Sequence, residues 1–347
     1  MSLTNVSRAM KRIILLITLA APLMTSHAAF AQNEINVSKV GITAAPFLTI
    51  GVGSRALSMG GAFVATANDA SALYWNPGGL APLRHTELLF VHTRWIADTN
   101  FDFAGAVLPL GEAGAIGLSI TSLTTGDMTV RTIERPEGTG ELFSASDLAI
   151  ALSYSRSLTD RFSIGVNVKY INQRIWHESA SGFAIDLGTL FVTSFHGLRI
   201  GATLSNFGTD MRMEGKDLLV FYDIGNNDRV SSKIETQSWS LPLNFQFGLA
   251  MEIVRSERHR LTVAADALHP SDNTESVNLG GEYSLQEKFF LRGGYRDLFL
   301  RDGEQTFAIG GGLAMRFLGN VRWKFDYAYA DFGRLENEQR FSVAVEF

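Results

Sequence analysis

Val321-Arg322-Trp323-Lys324-Phe325-Asp326-Tyr327-Ala328-Tyr329-Ala330 is the stretch that decides how this chain folds. In an extended backbone Val321, Trp323, Phe325, Tyr327 and Tyr329 fall on one face, and Arg322, Lys324, Asp326 and Ala328 on the other. A period of two is a strand with unlike faces, whereas a helix would bring Arg322 and Phe325 onto one side. Leu243–Ile253 repeats the pattern, with Leu243, Phe245, Phe247, Leu249, Met251 and Ile253 against Asn244, Gln246, Gly248, Ala250 and Glu252. Phe162–Tyr170, Phe183–Phe191, Phe307–Phe317 and Phe341–Phe347 behave likewise.

Working outward, the alternation predicts about fourteen strands, near 86–95, 99–109, 113–122, 146–157, 160–173, 181–193, 197–206, 241–254, 259–268, 275–285, 288–297, 305–317, 320–330 and 338–347. Sandwich strands average about five or six residues, while a tilted strand needs roughly 9–11 to cross a bilayer. The length favours the membrane. Aromatic residues near strand ends (Trp95, Tyr154, Tyr170, Trp239, Tyr283, Tyr295, Trp323 and Tyr329) suit interfacial girdles. Tight connections such as Leu158–Thr159 and Gln286–Glu287 alternate with longer ones, including Leu123–Ala145 and Phe207–Ser240. Bacterial barrels have even strand numbers, short periplasmic turns and longer external loops. The expected fold is therefore all-β, a transmembrane antiparallel up-and-down β-barrel in the bacterial outer membrane. Both termini are expected in the periplasm, and the wall meets outer-membrane lipid.

Composition agrees. Among 347 residues 19% are charged and 11% aromatic, with 33 glycines, 8 prolines and no cysteine. The net charge of −5 comes without any basic stripe, so nucleic acid is not an expected partner. Zero cysteine excludes disulfides, thiolate zinc sites and cysteine nucleophiles. At the N-terminus, Lys11 and Arg12 precede the apolar run Ile13–Met24, and Ala29-Phe30-Ala31 supplies a small-x-small cleavage pattern. Residues 1–31 are expected to be a secretory signal peptide. Residues 32–85, rich in Gly, Ala and Ser, read as a compact irregular unit with short helices around Ser54–Ala67 and Ala70–Tyr74. Residues 86–347 form the barrel.

If aromatic and aliphatic residues face lipid, the opposite face lines the lumen. It carries Lys169, Asp186, Arg199, Glu252, Asp266, Glu282, Arg292, Arg296, Arg316, Arg322, Lys324, Asp326 and Glu346. Buried charges need partners, so a polar lumen or contact with an inserted segment is required. Remaining lumen positions are small, among them Gly165, Gly188, Gly201, Gly248, Gly280, Gly310 and Gly312. They leave space that the 32–85 unit is expected to occupy as a hatch.

The block Thr43-Ala44-Ala45-Pro46-Phe47-Leu48, Gly51-Val52-Gly53-Ser54-Arg55-Ala56, Met59-Gly60-Gly61-Ala62-Phe63-Val64-Ala65 and Asn68-Asp69-Ala70-Ser71-Ala72-Leu73-Tyr74-Trp75-Asn76-Pro77-Gly78-Gly79-Leu80-Ala81 resembles the PorV/PorQ family of outer-membrane proteins. Pro46-Phe47-Leu48 brings it closer to PorV. The family usually has Asn-Pro-Ala where this chain has Asn76-Pro77-Gly78. The resemblance implies a barrel akin to the fatty acid transporter FadL, with an N-terminal hatch. It also implies a role in type IX secretion, by binding a translocon or exported proteins. The alternative is FadL-like transport of hydrophobic small molecules. Open porin activity ranks third, because a hatch would block it.

Motifs for chemistry are weak. Gly51-Val52-Gly53-Ser54-Arg55-Ala56 fits a dinucleotide fingerprint by letter but lacks a βαβ unit. Asn76, Pro77, Gly78 and Gly79 are expected to form a tight turn, with gating as the functional alternative. The histidines make no HxH or HExxH pair, and the acidic loop from Asp210 to Asp228 lacks EF-hand spacing. No Gly-x-Ser-x-Gly elbow occurs. No catalytic, cofactor or metal residue is expected, and the protein is not expected to be an enzyme.

Overall fold

The structure, a computed structural model, describes residues 40–347 apart from 224–228, 301–302, 304–305, 318–320 and 336. The expected signal peptide lies outside the described residues, as do Asn226, Asn227 and Asp228 of the acidic loop.

Fourteen long strands make one sheet. They are β1 (Glu87–Arg94), β2 (Asn100–Pro109), β3 (Ala115–Thr124), β4 (Ala145–Thr159), β5 (Phe162–Ile175), β6 (Glu178–Val192) and β7 (Arg199–Gly208). The second half comprises β8 (Asn244–Arg255), β9 (His259–Pro270), β10 (Ser276–Leu285), β11 (Phe289–Leu298), β12 (Phe307–Phe317), β13 (Val321–Ala330) and β14 (Glu338–Glu346). Each pairs antiparallel with its sequence neighbour, and Glu87–Arg94 pairs with Gln339–Glu346 to close the ring. Closure matters physically, because an open edge in hydrocarbon would leave backbone polar groups unpaired.

Burial assigns the two faces. Leu291, Phe341 and Ile309 are 67%, 55% and 54% exposed on the outer wall, while Glu282 and Ala328 are 1% and 0% exposed on the inner one. An arrangement with apolar residues outward and charged residues inward requires lipid around the cylinder. Among the described residues no helix is long and apolar enough to cross a membrane. One end of the barrel carries short turns and the other the long loops, so the turn end is periplasmic and the C-terminal Phe347 lies there.

Three expectations need correction. β5 and β6 run to 14 and 15 residues and meet at a two-residue turn, Trp176-His177, where a longer loop was expected. Their outer ends carry Asn172 and Ser181, hydrogen-bonded across the pair, and this polar outer face interrupts the apolar alternation. Trp95 is not a strand-end girdle residue. It follows β1 and packs edge-on against Phe332, ring centroids 5.3 Å apart. Trp239 likewise lies in the β7–β8 loop, bridged to Met211.

The N-terminal segment runs inside this cylinder. Its first described residues sit at the loop end, where the Ala44 amide donates to the Ser240 carbonyl and the Ala45 amide to Gln173 Oε1, 2.9 Å away. The chain therefore enters β1 at the turn end only after traversing the lumen from the loop end. The segment contains two helical turns, α1 (Ser54–Ser58) and α2 (Ala72–Trp75), and two 3-10 turns, Pro46–Thr49 and Pro77–Leu80. Pro46 and Pro77 suit first-turn positions, where φ is preset and no N–H is needed.

Candidate functional site

The segment buries Met59, Phe63, Leu73 and Trp75 in one apolar cluster that includes Leu89, Val91, Phe101, Phe103 and Val107 of β1 and β2. Each such side chain contributes about 1.5–3 kcal/mol on burial. Around the wall, β1 included, strand side chains hydrogen-bond to the segment's backbone. Asp266 Oδ2 on β9 accepts from the amides of Phe63 and Val64 at 2.7 and 2.8 Å. Ser342 Oγ on β14 accepts from the Ser54 amide at 2.8 Å, and Asn167 Nδ2 on β5 donates to the Leu73 carbonyl at 2.8 Å. Glu87 on β1 accepts from the Ala70 amide at 2.9 Å, and Arg340 donates to the Gly51 carbonyl.

Asn76, Pro77, Gly78 and Gly79 do form a turn, for a reason other than the expected one. Neither glycine adopts a positive φ. Space is what they supply. A Cβ on Gly79 would overlap the Ala67 carbonyl oxygen, and one on Gly78 would press at 3.0 Å on the backbone of Gly188 and Thr189. Asn76 is fully buried and holds three groups at once. Its Oδ1 accepts from the Gly78 amide at 3.0 Å, and its Nδ2 donates to the carbonyls of Val64 and Thr189, both at 2.9 Å. Asn76→Ala should destabilise the folded barrel by about 2–5 kcal/mol, since three buried polar groups lose their partner. The check is the temperature at which the barrel unfolds on a gel, which should fall; an unchanged temperature would mean that Asn76 fastens nothing.

An ion network occupies the turn end. Arg55, on α1, reaches Glu282 through Nε at 2.8 Å and Asp69 through Nη1 at 2.7 Å. Arg292 shares Glu282 at 2.8 Å and also meets Asp326 at 2.5 Å. Arg260 joins Glu282 at 3.1 Å to Glu287 at 2.7 Å. Lys324 pairs with Glu87 at 3.1 Å and with Glu346, which Arg322 meets at 3.5 Å. Burial works against the Arg55 charge, but Glu282 and Asp69 more than offset it, and its pKa rises. Burial likewise opposes ionisation of Asp69, yet Arg55 and Lys324 hold its carboxyl below the usual carboxylate range. A hydrogen bond from Arg260 does the same for Glu287 in the β10–β11 turn.

The remaining lumen charges form no ion pair with this network among the described residues, though Arg199 lies within electrostatic reach of Arg55, Arg260 and Glu282. Lys169 and Asp186 pair at 2.7 Å nearer the loop end, and Arg296 lies 3.5 Å from Asp297 there. Glu252 pairs with Arg255 at 3.1 Å, and Arg199 stands half-buried opposite Ala250. Arg316 is exposed at the turn end of β12, opposite Arg322. Asp266, expected only as a lumen charge, is an acceptor for segment backbone. Arg55 and Asp69 were missed by sequence reasoning. Their signal was two charges inside an otherwise small and apolar block.

The inner-wall glycines mark the segment's path. A Cβ at Gly165 would overlap Pro77, one at Gly188 would overlap the Asn76 side chain, and one at Gly280 would overlap the Met59 carbonyl. At Gly201 it would come within 2.7 Å of the Val64 oxygen, and at Gly310 within 2.6 Å of Ser58 Cβ. Gly248 and Gly312 instead clear room for the Asp266 and Asp326 carboxylates.

The closed fourteen-strand wall has the fold of FadL-like outer-membrane barrels. Among solved structures it is similar to the CymD monoaromatic hydrocarbon channel, with a TM-score of 0.55, 13% identity, and coverage of 86% of this chain and 97% of that one. The toluene transporters TodX of Pseudomonas putida and TbuX of Ralstonia pickettii give TM-scores of 0.54 and 0.52 at 13% and 12% identity, each covering 85% of this chain and 97% of theirs. At such identities the likeness is one of fold. The chain itself belongs to the family described as type IX secretion system protein PorV, whose model matches residues 32–270. It is thus an outer-membrane protein of a family of barrels without catalytic function. No curated protein matches the sequence.

Proposed function

We propose that this protein is a non-catalytic component of a type IX-like secretion system, which binds a translocon or exported proteins through its loop face. The observation that carries the reading is where apolar surface remains uncovered outside the membrane wall. The β7–β8 loop contains a hairpin, Leu219–Asp223 paired with Arg229–Lys233, on which Phe221 and Tyr222 are 67% and 61% exposed. Adjacent residues of a strand point to opposite sides, so each face of the hairpin carries an exposed aromatic ring. The β3–β4 loop adds a second short pairing, Met128–Thr129 with Leu142–Phe143, and an almost fully exposed Ile133. Exposed apolar residues gathered at one end mark a contact surface. The family's description points to the same kind of partner.

FadL-like transport of hydrophobic small molecules is the second reading, and the hydrocarbon-channel neighbours favour it. The lumen weighs against it. The turn-end recess is lined mainly by charged groups, the loop-end recess mixes polar side chains with apolar ones such as Leu48, Trp75 and Leu268, and the N-terminal segment lies between the two. A hatch role for that segment belongs to this proposal. So does the absence of catalysis.

Pull-down of the tagged protein from detergent-solubilised outer membrane, followed by mass spectrometry, separates the readings. Secretion components or exported proteins should co-purify, and deleting 219–233 should reduce their recovery at least about tenfold, as loss of a central aromatic anchor does. Recovery of no such partner, together with uptake of toluene by vesicles carrying the protein, would replace the first reading with the second.

A further inference from the structure

The loop-end recess, about 400 Å³ in volume, has a construction that neither secretion nor hydrocarbon passage explains. Two β-bulges of the same design contribute to its wall. Between β6 and β7, Asp186 opposes both Ser205 and Asn206, where the register jumps from Ile185↔Phe207 to Leu187↔Leu204. Between β10 and β11, Asn278 opposes both Arg296 and Asp297, where it jumps from Val277↔Leu298 to Leu279↔Tyr295. In each the second bulge residue is left-handed without being glycine, Asn206 at φ 63° and Asp297 at φ 55°. Each is held by the facing side chain. The Asn206 amide donates to Asp186 at 2.8 Å, and the Asp297 amide to Asn278 at 2.9 Å. Asn and Asp are the non-glycine residues that best tolerate this conformation, and bulges re-aim side chains beside functional sites.

The bulges bring polar groups to the recess. Asn206 receives the Lys169 ammonium, and among the described residues the ion contact of Arg296 is to Asp297 at 3.5 Å. From β8, Asn244 and Gln246 face the same space on alternate positions, and Asn244 Oδ1 has no hydrogen-bond partner among the described residues. Trp75 and Tyr74 of the N-terminal segment contribute aromatic surface. Amides, the Arg296 guanidinium and aromatic rings, with the Asp272 and Asp297 carboxylates in the same lining held by Thr43 and Arg296, form a set of donors and acceptors for a hydroxyl-rich ligand bearing one acid group. The volume falls within the range of small-ligand sites, roughly 300–1,000 Å³. The adjoining strands β8–β11 are paired on both sides along the recess, so no free ladder edge is offered to a peptide.

We propose that this recess binds a small acidic sugar, its carboxylate on Arg296 and its hydroxyls on Gln246 and Asn244. The inference does not depend on the secretion reading. It is tested on the full chain in a detergent without a sugar headgroup, by saturation-transfer NMR with D-glucuronate, D-glucose and toluene as probes at about 10 mM, a range suited to millimolar binders. Glucuronate should bind, glucose more weakly and toluene not at all. Arg296→Ala should weaken glucuronate about tenfold while leaving glucose nearly unchanged, as loss of one charge-assisted contact does. Gln246→Ala should weaken both. Assembly of each variant is checked by its gel shift on heating. Absence of glucuronate binding, binding indifferent to both substitutions, or toluene displacing glucuronate would overturn the proposal.

Discussion

Glu282→Ala is expected to destabilise the turn-end network more than any other single charge removal, by about 3–5 kcal/mol, because it strands buried cations. Glu282 is the carboxylate that Arg55, Arg260 and Arg292 share, and its side chain is 1% exposed. Arg55 sits on the N-terminal segment and the other two sit on the wall, so the substitution cuts the ionic link between them. Trypsin supplies the readout, since Arg55 and Arg84 both lie in the segment. Cleavage at Arg55 in the folded variant should be at least about a hundredfold faster than in the wild type, by the same free-energy difference. Arg55→Met should be milder, because Glu282 keeps Arg260 and Arg292, and it is read by cleavage at Arg84, since the site at 55 is gone. Equal resistance of wild type and Glu282→Ala would show that apolar packing alone fixes the segment.

Gly165→Leu is the second large effect. Its side chain would have to occupy the position of the Pro77 carbonyl and the Gly78 amide. Overpacking a core with movable side chains costs about 1–3 kcal/mol, and here the obstacle is backbone, so the cost should exceed that range. The variant should either fail to assemble or assemble with the segment displaced and open to protease. Gly293→Leu is the matched control. Gly293 is also a strand glycine, but a Cβ there meets nothing within 4 Å, so assembly should be normal. The ratio of heat-shifted to unshifted protein on a gel reports both. Equal assembly of the two variants would remove the claim that inner-wall glycines are shaped to the segment.

Alternation made the barrel legible, because lipid on one side and a polar lumen on the other impose a period of two along strands such as Val321–Ala330. The signal weakened where both environments are wet. The outer ends of β5 and β6, with Asn172 and Ser181 outward, look like loop when read as hydropathy. Trp95 shows the converse problem, since an aromatic residue beside a strand packs on a loop as readily as on lipid. The site was legible as a set of inward charges but not as a network. Which of Glu282, Arg292 and Asp326 touch depends on stagger between strands, and Arg55 and Asp69 arrive from a segment with no periodicity. Bulges at Asn206 and Asp297 left no trace either, being properties of paired registers. Asn76 was singled out as part of a turn, but its bond to Thr189 needed the fold.

Residues 40–85 run through the lumen and are expected to seal it. Steady conductance of the purified full-length protein in a planar lipid bilayer tests this most directly. The expected result is insertion without a sustained ohmic current, the Gly165→Leu protein conducting if it assembles. A stable open-channel current from the wild-type protein would contradict it.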